Sequence, residues 1–84
     1  SKRLEQIALA EEWIVNKGFS CVRVRSQGLS ARIELPADEI DQFLKIIERK
    51  KLIEYFLSLG FHSISIDLEG LISGKLTRDI KTTS

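Results

Sequence analysis

Apolar side chains recur at helical spacing along the start of the chain. Leu4, Ile7, Ala8, Ile14 and Val15 fall on one stripe, and Glu11 lies inside it. The stripe stops at Asn16-Lys17-Gly18-Phe19. Gly18 fits the residue just past a helix end and Phe19 the apolar residue after it, so a helix is predicted over 3–17. Residues 20–25 alternate instead, with Val22 and Val24 on one side and Cys21, Arg23 and Arg25 on the other. Ser26-Gln27-Gly28 reads as a turn. Residues 30–35 alternate again, with Ala31, Ile33 and Leu35 opposed to Arg32 and Glu34, and the two runs together predict a β-hairpin.

Pro36 suits the first turn of a helix, and Asp38 and Glu39 stand where carboxylates favour the helix dipole. Ile40, Phe43, Leu44 and Ile47 make an i, i+3, i+4, i+7 stripe. Continued, that stripe would run through Lys50, Lys51, Glu54 and Ser58, which are polar. A second stripe starts instead with Leu52, Tyr55, Phe56 and Leu59, so two helices are predicted, over 37–47 and 50–59, with a break near Glu48-Arg49. Gly60-Phe61 closes the second, and Ile64, Ile66 and Leu68 alternate as a third strand. The unit helix, Gly-Phe, strand occurs twice, at Gly18-Phe19 and Gly60-Phe61. Ordinary glycine-ended helices feeding strands account for it without an internal repeat.

The predicted order is α-β-β-α-α-β: an α+β domain with helices covering the apolar face of a three-stranded sheet. The hairpin is defined by the pattern, while the third strand could lie beside either of its members. The domain is expected to span 1–76. Residues 77–84 are expected to form a tail, although Leu71, Ile72, Leu76 and Ile80 make the approach to it apolar.

Composition narrows the function classes. The 84 residues allow one small core, and 13 basic against 12 acidic residues give a net charge of +1, too little excess for a dedicated nucleic-acid binder. No strand carries an aromatic residue on which a base could stack, and Gly70–Gly74 lacks the GxxG spacing that clamps RNA. Cys21 is the single cysteine, so an internal disulfide and a multi-thiolate metal site are both excluded, and a reducing cytoplasmic compartment is expected. No apolar run approaches the roughly 18 residues that cross a bilayer. The first residue is Ser rather than Met, which fits either a piece of a longer chain or a processed one.

With the apolar side of the sheet turned to the helices, the opposite side carries Arg23, Arg25, Arg32, Glu34, Asp67 and Glu69. Arg23 and Arg25 stand two apart on one strand, so their guanidinium groups point the same way, roughly 7 Å apart. Two planar, permanently charged forks at that spacing can converge on a phosphate or a carboxylate. A solvated face of cross-strand Arg–Glu pairs is the other reading. Glu11, within an apolar stripe, must be paired, stand at the stripe's edge or coordinate something; an arginine from the following strand is the natural partner. Cys21 reads as a buried or half-buried inert thiol, because no histidine is placed to activate it. His62 reads as a surface residue at a strand start. Trp13 and Leu9 lie off the main stripe, either closing the edge of the core or forming a patch for a partner. A Gly-rich phosphate loop and a nucleophile beside a base are both missing.

Ala10-Glu11-Glu12, Gly18-Phe19, Val22-Arg23-Val24-Arg25, Gly28, Ala31-Arg32-Ile33-Glu34, Gly60-Phe61, Asp67-Leu68-Glu69-Gly70 and Ser73-Gly74 form an ordered series. The series resembles the C-terminal domain of the LarE-type ATP-dependent sacrificial sulfur transferases, within the PP-loop ATP pyrophosphatase group, and covers about residues 3–76. It departs from that pattern at Ser26-Gln27, where His often precedes the Gly, and at Leu71-Ile72, where an aromatic and an Arg are common.

The resemblance implies a parent enzyme that uses ATP and Mg to adenylylate a carboxylate of a pyridinium dicarboxylate mononucleotide. Sulfur is then delivered towards a nickel-pincer nucleotide. The PP-loop and the sulfur-donating cysteine would lie upstream, so Cys21 is not the donor, this stretch alone is not catalytic, and no cofactor is expected within it. By the same resemblance Arg23 and Arg25 match the arginines that contact the substrate phosphate. Glu11 matches an acid near the sulfur site and a candidate metal ligand. The implied partners are the N-terminal PP-loop domain, a phosphorylated small molecule and further copies in a homo-oligomer, with neither nucleic acid nor membrane. A non-catalytic protein–protein interaction or oligomerisation domain is the alternative.

Overall fold

The computed structural model describes residues 2–71; the predicted tail and the Ser73-Gly74 motif lie outside the described residues. Helix α1 spans Lys2–Val15, strands β1 and β2 span Arg23–Gln27 and Ser30–Glu34, and a 3-10 turn covers Ala37–Glu39. Helices α2 (Ile40–Ile46) and α3 (Arg49–Ser58) then lead to strand β3 (Ser63–Ile66). The α-β-β-α-α-β order and the three-stranded α+β architecture are those expected from the sequence.

β2 is the central strand. It pairs antiparallel with β1 and parallel with β3, which places the third strand beside the second member of the hairpin. A parallel neighbour requires a crossover, and α2 and α3 supply it. The inward row of β2 and its extension, Ala31, Ile33 and Leu35, is fully buried. Val22, Val24, Ile14, Phe43, Leu52 and Phe56 close over it as one apolar cluster.

The two Gly-Phe corners are built alike. Gly18 and Gly60 have φ of 106° and 111°, the left-handed region that a side chain resists. At the end of α3, Gly60 N–H donates to Leu57 O (3.0 Å) and Phe61 N–H to Phe56 O (3.3 Å), the paired bonds of a Schellman cap. At the end of α1, Gly18 N–H donates to Val15 O at 2.9 Å. Each corner turns a phenylalanine inward. Phe19 meets Phe43 edge to face at 5.2 Å and Phe61 meets Phe56 at 5.9 Å.

The break between α2 and α3 falls at Ile47 and Glu48, which take extended backbone (ψ 130° and 102°). Redirecting the chain there keeps Lys50, Lys51 and Glu54 in water and brings Leu52 and Phe56 into the core. That is the reason the helical phase changes in the sequence.

Four expectations are corrected. The buried side of α1 is centred on Ala10 and Ile14, while Leu4, Ala8 and Val15 are exposed. The hairpin turn is Gly28-Leu29, because Ser26 and Gln27 still pair with Ala31 and Ser30. Cys21 is exposed, in the turn before β1 rather than on a strand. Leu68 was expected to face the helices and is 83% exposed. Asp67 ends the alternation: its Oδ1 accepts Glu69 N–H (3.0 Å) and its carbonyl accepts Gly70 N–H (3.0 Å), so Leu68 and Glu69 ride on a turn.

Candidate anion site on the open sheet face

Pairing across the Gly28-Leu29 turn sets the polar face in rows. Arg23 lies opposite Glu34, Arg25 opposite Arg32, and Gln27 opposite Ser30. β3 extends two of them, with Ser65 beside Arg32 and Ser63 beside Ser30. The Ser30 and Ser63 hydroxyls hydrogen-bond at 2.6 Å.

Glu34 is the one buried charged residue among those described. A carboxylate at that depth needs compensation, and two guanidinium groups give it. Arg25 Nε donates to Glu34 Oε1 at 3.1 Å. Arg32 reaches Oε2 with both Nε and Nη2, each at 3.2 Å. Charge-assisted bonds of this kind fix orientation as well as charge. The Glu34 side chain is 10% exposed, against 52% for Arg25 and 37% for Arg32, so the carboxylate is covered and the guanidinium groups reach solvent. Arg23 is exposed and forms no ion pair among the described residues.

Arg25 is held in an Arg–Glu pair, and Arg23 and Arg25 still share one open face. Arg32 and Glu34 were legible as members of the face but not as its centre. The signal that locates them is the two-residue turn, which makes Arg25 and Arg32 direct neighbours.

Glu11 has a different partner from the one expected. Its Oε2 accepts the backbone N–H of Val24 at 2.9 Å, at the outer edge of β1. The preceding helix places the carboxylate against a strand whose N–H there has no neighbouring strand to meet, and the backbone takes the place predicted for an arginine. Among the described residues no group of three His, Cys, Asp or Glu side chains could hold a metal ion. Trp13 closes the edge of the core by stacking on Tyr55 (5.9 Å, 22°), with Lys17 Nζ 4.9 Å from its ring centre. Leu9 is exposed, and so is His62, whose N–H donates to Leu29 O at 2.7 Å.

A cavity lies elsewhere. It is an apolar groove of about 730 Å³ between α2, α3 and β3, lined by Ile40, Leu44, Ile53, Ile64, Ile66 and Leu68 among others. No helix among the described residues is long and apolar enough to cross a membrane.

Fold and face together define a small α+β domain with a basic patch braced by one buried carboxylate. No family model matches the chain. It is 40% identical over 77 residues to the uncharacterized protein slr1717 of Synechocystis sp., covering 92% of this chain and 29% of that protein. It is also 38% identical over 73 residues to the pyridinium-3,5-bisthiocarboxylic acid mononucleotide synthase of Lactiplantibacillus plantarum, covering 87% of this chain and 26% of that enzyme. The chain therefore spans a little over a quarter of the length of these curated relatives.

Proposed function

We propose that this chain is the C-terminal, substrate-contacting part of an ATP-dependent sulfur transferase that acts on a pyridinium carboxylate mononucleotide in nickel-pincer cofactor synthesis. The likeness to part of a pyridinium-3,5-bisthiocarboxylic acid mononucleotide synthase supports the class of parent. The observation that carries the site is the shared open face of Arg23 and Arg25, with Arg25 already oriented by Glu34. On this reading the arginines hold the phosphate of the mononucleotide. ATP and Mg are handled by an N-terminal PP-loop domain, and Glu11 stands near the sulfur-transfer centre. The parent works in the cytoplasm as a homo-oligomer to which this domain contributes contacts.

The test uses the full-length parent enzyme. Arg23→Ala and Arg25→Ala should each raise KM for the phosphorylated substrate about tenfold, the scale of one lost charge-assisted contact, with the fold intact by circular dichroism. Glu11→Gln should instead lower kcat. Unchanged kinetics in both arginine variants would remove the phosphate role.

A second reading, a protein–protein interaction domain, draws on the apolar groove, whose rim includes the exposed Leu44 and Leu68. It predicts concentration-dependent self-association of the 84-residue chain. A monomer by sedimentation across the micromolar to millimolar range argues against it.

A further inference from the structure

The apolar groove between α2, α3 and β3 plays no part in the phosphate reading. Only two of its twelve lining residues, Arg49 and Ser65, are polar. A pocket for a polar small molecule carries several convergent polar groups, so this lining suits apolar side chains instead. Leu44, Ile53 and Leu68 line it and are 59%, 37% and 83% exposed, which gathers uncovered apolar surface in one place.

The chain itself delivers apolar residues to this place. Leu68 lines the groove, and the Asp67–Gly70 turn then leads to Leu71, the last described residue. Leu71 N–H donates to Leu35 O at 2.7 Å, which fixes the point from which residues 72–84 depart. That point is three positions past Leu68 and beside the link from β2 to α2, where Ile40 also lines the groove.

Residues 72–84 contain three large apolar side chains, Ile72, Leu76 and Ile80, and the other ten residues are Gly, Ser, Thr or charged. The three are spaced by four. That spacing returns a side chain to the same side in a helix and in an extended segment alike. From 72 to 80 the row measures about 12 Å if helical and about 26 Å if extended. Helix α3, one wall of the groove, has ten residues and is about 15 Å long, so the row matches the groove in length. Tethered at Leu71, the segment meets the groove at an effective concentration of about millimolar, which a second copy reaches only in concentrated solution.

We propose that residues 72–80 of this chain cover the groove, with Ile72, Leu76 and Ile80 seated over Leu44, Ile53 and Leu68. The groove is then closed within one molecule, and a partner reaches it only by displacing the segment. This is independent of the role of the arginine face.

The experiment attaches a nitroxide at Thr82→Cys in the Cys21→Ser background of the 84-residue chain and reads the broadening of Leu, Ile and Val methyl signals. Leu44, Ile53 and Leu68 should broaden strongly, while Leu9 and Val15 on α1 keep their intensity. Leu76→Asp with Ile80→Asp should abolish the broadening and lower the melting temperature by roughly 5 °C or more. Thr77→Asp with Lys81→Asp, off the row, should change neither.

Groove signals that stay sharp in the labelled chain overturn the proposal. Broadening that arises only when labelled and unlabelled copies are mixed makes a second molecule the occupant and overturns closure within one chain. Equal loss from the off-row pair overturns the assignment of the row. Should Leu76→Asp with Ile80→Asp fail to fold, methyl–methyl NOEs in the unsubstituted chain decide. Contacts from Leu76 or Ile80 to Leu44 or Ile53 support the proposal, and their absence overturns it.

Discussion

Phe56→Ala should cost about 3–5 kcal/mol, most of the stability a domain of this size possesses. Phe56 is fully buried and meets Phe61 at 5.9 Å. It lies on α3 three residues before the cap, and its carbonyl accepts the Phe61 N–H that closes that cap. Truncation therefore opens a cavity beneath the helix end and loosens the corner that feeds β3. Neighbouring side chains can fill such a cavity only in part, because the surrounding positions are set by the sheet. Urea unfolding followed by circular dichroism measures the loss. A shift in midpoint worth less than about 1 kcal/mol would show that α3 is not seated as described.

Gly70→Ala should cost roughly 2–4 kcal/mol. Gly70 has φ of +85°, and a Cβ there would lie 2.7 Å from Leu35 O and 2.9 Å from Ala37 N. Both are backbone atoms, and Leu35 O already accepts Leu71 N–H at 2.7 Å, so neither can swing aside as a side-chain tip would. Two costs add at this one position: the left-handed conformation, and displacement of the link between β2 and α2. Gly18→Ala is the control. Its φ is +106°, with nothing within 4 Å of the added carbon, so only the conformational cost of about 1 kcal/mol applies. Thermal melts of the two variants should separate by several degrees, Gly70→Ala lower. Equal melting temperatures would mean that the Asp67–Gly70 turn does not press on the end of β2.

The elements of this fold were legible because each carries a local signature. The change of helical phase after Ile47 marked the α2–α3 break, and the Gly-Phe corners marked two helix ends. What stayed hidden is mostly what depends on partners distant in sequence. The apolar residues Leu4, Ala8 and Val15 suggested one face for α1, but the residues it buries are Ala10 and Ile14. Leu68 continues the alternation of β3 on paper, and the Asp67 side chain interrupts it. For the site, Arg23 and Arg25 were visible as neighbours along a strand. The register that sets Arg32 against Arg25 depends on a turn centred on Gly28-Leu29, and a shift of that turn by one or two residues would have changed every cross-strand pair. The Glu11 partner was missed for a similar reason: side-chain inventories do not show a backbone N–H that faces out of a sheet.

That Glu11 bond bears on how the molecule behaves among other chains. An edge strand is a template on which a neighbouring polypeptide can lay itself, and self-templating of this kind is a route to aggregation. At the outer rim of β1 the Val24 N–H is already taken, and the group that takes it is an anion. A carbonyl approaching to extend the sheet meets an occupied donor and negative charge together. The acid that draws notice as a candidate near sulfur chemistry thus also serves as a guard on the open side of the hairpin.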